Sequence, residues 1–227
     1  MSIISFKSAP KQKKDIKALL IDMDGILFDT ESMSINLIID VVARQNLLIT
    51  REFIIKNMGI GPADLLATYS KHLGPTFDPQ LYWNTYWEER NKYYDEKGMP
   101  LMKGALSLLK AAKEKGIPCV LASSSPQKQV FASLRRAGVD GYFTDVVGGD
   151  MFEHSKPQPD IYLKAAQLAN VDISECLVLE DSINGMKAGR AAGAYVVMIP
   201  DIIPFSESAK PFCDYLCESL IDVIQLI

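Results

Sequence analysis

The stretch Ala-Leu-Leu-Ile-Asp-Met-Asp-Gly-Ile-Leu-Phe-Asp-Thr, residues 18–30, decides how the rest of the chain is arranged. Its first four residues form an apolar run with the length of a buried strand in a parallel sheet. The run ends on two carboxylates, Asp22 and Asp24, and Gly25 follows where the chain turns or lets a ligand come close. Ligands of open α/β sheets bind at the carboxyl ends of strands, and two neighbouring acids attract a cation there. The stretch therefore predicts a strand that leads into a cation-binding site, although alone it also fits a strand followed by an acidic turn.

The composition limits the classes of protein to which the chain can belong. It has 227 residues, of which 48% are hydrophobic and 23% charged, which suits a globular protein with one sizeable core and a smaller domain. The net charge of −4 argues against nucleic acid as a partner, because phosphate backbones require clustered Lys and Arg. Apolar runs are shorter than the roughly 18 residues that span a bilayer, and the N-terminus lacks the pattern of a signal peptide. We therefore expect a cytoplasmic protein without membrane contact, present as a monomer or a weak homodimer.

The four cysteines indicate neither a disulfide framework nor a zinc site. Cys119 and Cys176 fall in apolar, strand-like runs, so we expect buried free thiols there. Cys213 and Cys217 have the spacing of a CxxxC pair, but only two histidines and no second cysteine pair accompany them. This pattern argues against zinc as a ligand of the chain.

After residue 30 the apolar residues change to helical spacing. Thr50 is placed to cap one helix, and Asp78-Pro79 opens a longer one that ends at Gly98. The aromatic residues of that longer helix are spaced to pack on neighbouring helices, although a ring-bearing ligand is an alternative partner for them. We therefore predict an inserted, all-helical cap domain over 31–100.

From residue 101 onward, helices and strands alternate. Strands are predicted over 117–122, 142–147, 176–179 and 194–199, and helices over 104–115, 127–137, 160–170 and 184–192. Such alternation gives a parallel sheet with helices on both faces. We predict an α/β fold with a Rossmann-like, doubly wound parallel sheet, whose core comprises 17–30 and 101–227. A flexible N-terminal arm over 1–16 is expected to carry the solvated lysines Lys7, Lys11, Lys13 and Lys14.

Polar side chains follow several of the predicted strands. In chain order they are Asp22, Asp24, Ser123, Glu180 and Asp181, and Lys156 lies in a proline-braced loop before a predicted helix. If the strands are parallel, all these positions meet at one edge of the sheet. Four acids, a hydroxyl and an ammonium suit a Mg²⁺ ion that bridges carboxylates and a phosphate. Taken singly, each piece has a plainer explanation: Lys156 fits a surface turn, Glu180 and Asp181 fit the start of a helix, and Ser125 is expected to cap the next helix.

The order of these motifs resembles the haloacid dehalogenase superfamily, and specifically its phosphoglucomutase-like phosphatase branch, in which a helical cap follows the first motif. The resemblance covers nearly everything after residue 16. The matching motifs are Asp22-Met23-Asp24-Gly25-Ile26-Leu27-Phe28-Asp29-Thr30, Ser123 after an apolar strand, Lys156-Pro157-Gln158-Pro159-Asp160, and Glu180-Asp181-Ser182-Ile183-Asn184-Gly185.

The resemblance implies Mg²⁺-dependent hydrolysis of a small phosphorylated metabolite, for which a sugar phosphate is a reasonable example. Asp22 then looks like the nucleophile that takes the phosphoryl group as an aspartyl-phosphate. Asp24 looks like the acid that protonates the leaving oxygen and afterwards the base that activates water. Ser123 and Lys156 would neutralise the charge on the phosphoryl oxygens.

The same resemblance implies the binding residues. Mg²⁺ would be held by the side chains of Asp22 and Asp181 and by the backbone carbonyl of Asp24. Glu180 would either bind the ion directly or contact the residues that bind it. The residues implied to bind phosphate are Asp22, Met23, Asp24, Ser123, Ser124 and Lys156.

Three alternatives differ in their residue requirements. Dehalogenases of the superfamily need neither the second Asp nor magnesium, so Asp24 favours phosphoryl transfer. Mutases of this branch carry a His soon after the first motif and an Arg in the cap, whereas 31–34 reads Glu-Ser-Met-Ser and 58–64 reads Met-Gly-Ile-Gly-Pro-Ala-Asp. A site that holds two phosphates in turn needs a cation at both ends, so hydrolysis is favoured over a sugar-phosphate mutase. A non-catalytic phosphate-binding or regulatory protein is the third alternative, although every chemical position is present.

Overall fold

The computed structural model describes residues 3–6, 15–57 and 62–227, and at 62 and 63 the backbone only. The chain forms two compact units, Met1–Asp29 with Met99–Ile227, and Thr30–Gly98. The second unit corresponds to the cap predicted over 31–100. Residues 58–61, which belong to the cap stretch 58–64 that was compared with mutases, lie outside the described residues.

Within the described residues, the first unit is built on a seven-stranded sheet with the order β1-β7-β6-β5-β2-β3-β4. The strands are β1 (Ile3–Ser5), β2 (Ala18–Ile21), β3 (Cys119–Ser123), β4 (Asp145–Gly148), β5 (Cys176–Glu180), β6 (Tyr195–Met198) and β7 (Tyr215–Cys217). All neighbours from β7 to β4 run parallel, and only β1 is antiparallel to its partner. The predicted α/β fold with a doubly wound, mainly parallel sheet is confirmed. Because the chain continues from β2 to β3 on one side and later returns to β5 on the other, the strand order reverses beside the end of β2.

Within its described residues, the regular elements of the second unit are helices. Its helices are α1 (Thr30–Ala43), α2 (Arg51–Lys56), α3 (Pro62–Leu73) and α4 (Pro79–Lys97). The Thr50 hydroxyl accepts the Phe53 N–H at 3.2 Å, which confirms the predicted cap of α2. Tyr82 of α4 is 2% exposed and meets the Tyr69 ring edge-on at 5.7 Å between centroids, so the aromatic residues of α4 contribute to a helical core.

Helices also cover the sheet of the first unit. They are α5 (Ala105–Glu114), α6 (Gln127–Ala137), α7 (Asp160–Ala169), α8 (Ile183–Ala192) and α9 (Leu220–Val223). The four residues of β2 are at most 1% exposed, so both faces of this strand are covered. Ala18 and Leu20 on one face belong to a hydrophobic cluster with Ala165 of α7 and Met186 of α8. A parallel strand that is buried on both faces explains the continuous apolar run in the sequence.

The prediction of a flexible arm over 1–16 is wrong for Ile3–Ser5. These residues form β1 and pair with β7, and Phe6 stacks on Phe205 at 5.5 Å between ring centroids. Without β1, the edge of β7 would present unpaired N–H and C=O groups. A strand of three residues is too short for its alternation of apolar and polar residues to be recognised in the sequence. The other arm residues, among them Lys7, Lys11, Lys13 and Lys14, lie outside the described residues.

The prediction of buried free thiols, which was made for Cys119 and Cys176, is confirmed. Cys119, Cys176, Cys213 and Cys217 are all buried free thiols. Among the described helices, none is both long enough and apolar enough to cross a membrane.

An ion pair between buried Asp214 and partly exposed Arg190 lies beside the last parallel strands. Asp214, just before β7, is 0% exposed and accepts hydrogen bonds from Arg190 of α8 at 2.8 Å and from the Val196 N–H of β6 at 2.9 Å. Its own N–H donates to the Val196 carbonyl at 2.8 Å. The carboxylate therefore links a helix and two strands, and its charge depends on Arg190 for compensation.

We expect Arg190→Met to destabilise the protein by about 3 kcal/mol, because it leaves the buried charge of Asp214 without its ionic partner. Lys17→Met is the matched control, since Lys17 pairs with Glu175 at 2.7 Å on the surface and its side chain is 56% exposed. This control should change stability little. Urea unfolding of the two variants measures the difference, and equal losses would contradict the importance assigned to Asp214.

Candidate active site

A tight turn after β2 places the first acidic residues at the edge of the sheet. The Asp22 N–H still donates to the Leu179 carbonyl of β5 at 3.1 Å, and the Met23 carbonyl then accepts the N–H groups of Leu27 and Phe28 at 3.0 and 2.9 Å. Gly25 has a φ of +78°, and a Cβ there would lie 2.4 Å from Asp181 Oδ2. Only glycine lets the turn pass this close to Asp181.

Lys156 connects the ends of three strands. Its side chain is 7% exposed, and its Nζ lies 2.5 Å from Asp22 Oδ1 after β2 and 2.7 Å from Glu180 Oε1 at the end of β5. The third donor reaches the Ala122 carbonyl of β3 at 3.3 Å. The ammonium thus brings together residues that are far apart in the sequence.

Glu180 is 0% exposed and has donors on both oxygens. Its Oε1 accepts from Lys156 and from the Tyr162 hydroxyl at 2.6 Å, and its Oε2 accepts from the N–H and the hydroxyl of Ser182 at 3.2 and 3.0 Å. A Cβ at Gly185 would lie 1.7 Å from Oε1, so the glycine leaves the space that this carboxylate fills. Glu180 is therefore a firmly held counter-ion of Lys156.

Three carboxylates are close enough to hold one cation. Asp22, Glu180 and Asp181 each offer an oxygen, and these oxygens lie within 4.8 Å of one another. Carboxylate oxygens at this spacing fit Mg²⁺, which is a hard cation that binds oxygen ligands. The side chain of Asp24 is not part of this group among the described residues, and Asp24 sits in the turn two residues after Asp22.

The hydroxyl side of the predicted site lies at the end of β3. Ser123 is 1% exposed, and its hydroxyl accepts the Ser125 N–H at 3.1 Å. Ser124 is exposed at the same strand end. The prediction that Ser125 caps α6 is wrong, because the Gln127 N–H at the start of that helix donates to Asp150 Oδ1 at 2.8 Å. A cap from 23 residues further along the chain cannot be seen in the local sequence.

Burial and neighbouring charges change the acidity of this cluster. The pKa of Asp22 is raised to about 8, mainly by burial; Lys156 opposes the rise, whereas the charges of Glu180 and Asp24 contribute to it. Burial opposes the charge on Lys156, but Asp22 and Glu180 outweigh it and hold the pKa of Lys156 well above its usual value. A cation near Asp22 would favour its ionised form, which is the form that can act as a nucleophile.

Two functional candidates were missed by the sequence analysis. Tyr162 lies six residues after Lys156 and contacts Glu180, but a tyrosine on an apolar helix face reads as ordinary core. Asp201 comes three residues after the end of β6, and this position near a strand end was a usable signal. Burial, and then the charge of Asp29, raise the pKa of Asp201 to about 6.

Comparison with known proteins identifies a family and several relatives of this chain. A model of the family described as haloacid dehalogenase-like hydrolase matches residues 19–199. Protein SUPPRESSOR OF QUENCHING 1, chloroplastic, from Arabidopsis thaliana is 33% identical over 190 residues, which are 81% of this chain and 18% of that protein. Phosphorylated carbohydrates phosphatase from Thermotoga maritima is 30% identical over 180 residues, 78% of this chain and 82% of that protein.

A solved structure shows the same fold. The crystal structure of CbbY from Rhodobacter sphaeroides in complex with phosphate has a TM-score of 0.71 and 25% identity, and the match covers 92% of this chain and 96% of that one. The match thus spans nearly all of the CbbY chain, whereas the match to the plant protein spans less than a fifth of that protein.

We expect the free energy of unfolding to fall less in Asp201→Asn than in the wild type as the pH rises from about 4 to about 7. The pKa of Asp201 is raised from 3.8 to about 6 on folding, so the folded state binds this proton more tightly than the unfolded chain. The free energy of unfolding therefore falls as the pH rises through this window, and an asparagine removes that contribution.

Denaturant titrations of both proteins at the two pH values, with EDTA present, measure this difference. Asp140→Asn, which changes an exposed acid of the same unit, controls for net charge. The prediction fails if Asp201→Asn and the wild type show the same pH dependence.

Proposed function

The chain belongs to the haloacid dehalogenase-like hydrolase family, and we propose that it hydrolyses a small phosphomonoester with Mg²⁺ as its cofactor. The observation that carries this proposal is the contact of the Lys156 ammonium with Asp22 Oδ1 at 2.5 Å, beside the carboxylates of Glu180 and Asp181. This contact supports the proposal because the oxygen proposed as the nucleophile lies beside a held cation and a group of carboxylates that could bind a metal.

The electrostatic demand of phosphoryl transfer fits this arrangement. The transferred group carries negative charge on its oxygens, and stabilising that charge is the main task of the protein. Lys156 is nearly buried, so its charge acts with little screening by water. A phosphoryl group that reaches Asp22 meets the ammonium at the same time.

In the proposed reaction, an oxygen of Asp22 forms a bond to phosphorus while the ester P–O bond breaks. Asp24 gives its proton to the leaving oxygen. Asp24 then takes a proton from water, whose oxygen attacks phosphorus and releases Asp22 and inorganic phosphate. Ser123 and Lys156 bind the phosphoryl oxygens throughout.

Asp22, Asp181 and the carbonyl of Asp24 are proposed to hold Mg²⁺. When bound, the ion neutralises charge on the phosphoryl oxygens and lowers the repulsion between these acids. Glu180 supports the site through Lys156, because its oxygens already accept hydrogen bonds from Lys156, Tyr162 and Ser182.

The proposed substrate is a small phosphorylated metabolite, and sugar phosphates are the first class to test. One relative is named as a phosphatase of phosphorylated carbohydrates, and one structure of similar fold was solved with phosphate. We favour hydrolysis over a mutase reaction because residues 31–34, Glu-Ser-Met-Ser, contain no histidine.

We expect purified protein to release phosphate from p-nitrophenyl phosphate when Mg²⁺ is present. This activity should cease in EDTA and return when Mg²⁺ is restored. Asp22→Asn should lose essentially all turnover, because an amide does not attack phosphorus. Phosphate release and circular dichroism together separate loss of chemistry from loss of fold. Activity that is indifferent to EDTA, or that persists in Asp22→Asn, would refute the proposed mechanism, and a panel of phosphorylated metabolites then ranks substrates.

Asp24→Asn should slow the hydrolysis of a poor leaving group, such as a sugar phosphate, by about a hundredfold or more, because the general acid is lost. A good leaving group departs from an ester without protonation, so the first transfer should still occur in the variant. Because the hydrolysis step lacks its base, phosphorylated protein should accumulate, and intact-mass spectrometry detects it. Asp24→Glu is the matched control that keeps a carboxyl group. Near wild-type turnover of the sugar phosphate by Asp24→Asn would rule out the acid–base role.

A further inference from the structure

Tyr162 is a buried polar residue whose hydroxyl faces the candidate site. It lies on α7 and is 0% exposed. Its hydroxyl donates to Glu180 Oε1 at 2.6 Å, and its ring centroid lies 4.9 Å from Lys156 Nζ. The residue therefore touches both members of the Lys156–Glu180 ion pair.

The hydroxyl is not needed to fill space. A phenylalanine would occupy the same volume and keep the ring beside the Lys156 ammonium. Burial of a hydroxyl is unfavourable unless it is hydrogen-bonded, and the bond to Glu180 satisfies this one. Burial raises the pKa of Tyr162 well above its usual value, with Glu180 adding to the rise, so the phenol stays protonated and remains a donor.

The hydrogen bonds to Glu180 leave little of its acceptor capacity unused. An ionised carboxylate offers about four acceptor positions. Lys156, the Tyr162 hydroxyl, and the N–H and hydroxyl of Ser182 supply four donors. Because Oε1 is shared by Lys156 and Tyr162, the strength of one contact depends on the other.

This sharing determines where the charge of Lys156 acts. The ammonium is divided between Glu180 and Asp22, at 2.7 and 2.5 Å. A neutral donor on Glu180 satisfies part of that carboxylate and weakens its hold on Lys156. Without the Tyr162 hydroxyl, Glu180 would draw the ammonium closer and away from the oxygen at which the phosphoryl group arrives.

We propose that Tyr162 is a positioning residue, whose hydroxyl holds Glu180 as the counter-ion of Lys156 and keeps the ammonium at Asp22. This inference rests on the proposed phosphatase function and adds to it a residue that controls how well phosphate is bound.

Tyr162→Phe tests the proposal, because it removes only the hydroxyl. We expect kcat/KM for p-nitrophenyl phosphate to fall about tenfold, which is what the loss of a hydrogen bond to a charged group costs at the low end. Inhibition by inorganic phosphate should weaken by a similar factor. Tyr82→Phe, which alters a buried tyrosine of the helical unit, should leave these values unchanged.

Titration calorimetry provides a readout that does not depend on turnover. Inorganic phosphate should bind more weakly to Tyr162→Phe than to the wild type, whereas Mg²⁺ titrated alone should bind with the same affinity. Unchanged binding of phosphate would overturn the proposal, whether or not the melting temperature falls. Weaker binding of Mg²⁺ alone would also overturn it, because Tyr162 would then act on the metal site.

A double-variant comparison tests the route through Lys156. In the Lys156→Met background, Tyr162→Phe should have no further effect on phosphate binding or turnover, whereas independent effects that multiply would overturn the proposal. A wild type without Mg²⁺-dependent phosphatase activity overturns the proposed function and this inference with it. An active wild type that Tyr162→Phe matches in every measurement overturns this inference alone.

Discussion

One nearly buried cation between the carboxylates of Asp22 and Glu180 organises the candidate site. Lys156 lies 2.5 Å from Asp22 and 2.7 Å from Glu180, and its side chain is 7% exposed. Charges taken out of water destabilise a fold unless they are paired and hydrogen-bonded, and removal of one partner leaves the others uncompensated. The surrounding structure must therefore hold all three groups in register.

Several neighbouring residues meet that requirement. Tyr162 and Ser182 complete the hydrogen bonds of Glu180, and Gly185 leaves the space for its carboxylate. Gly25 similarly lets the turn after β2 pass Asp181. These residues have different chemistry, but each allows charged groups to remain buried at the edge of the sheet.

The topology of the sheet supplies the location. β2 lies between β3 and β5, so three strand ends converge where the strand order reverses. The far edge of the same sheet is secured differently, by the antiparallel β1 and by the Asp214–Arg190 pair. The edge of the sheet and the candidate site at its centre thus contain separate ion pairs, which mutations can probe independently.

The sequence by itself determined the α/β fold, the helical insertion and the candidate residues that follow strands, because apolar periodicity and strand-end acids are local patterns. Asp22, Glu180 and Asp181 were recognisable for that reason, whereas Lys156 was recognisable only by its motif. Only the tertiary structure showed that Ile3–Ser5 complete the sheet, that Asp150 caps α6, and that Tyr162 shares Glu180 with Lys156. Each of these contacts joins residues distant in the chain, and a hydrogen bond between distant residues leaves no periodic signal in either segment.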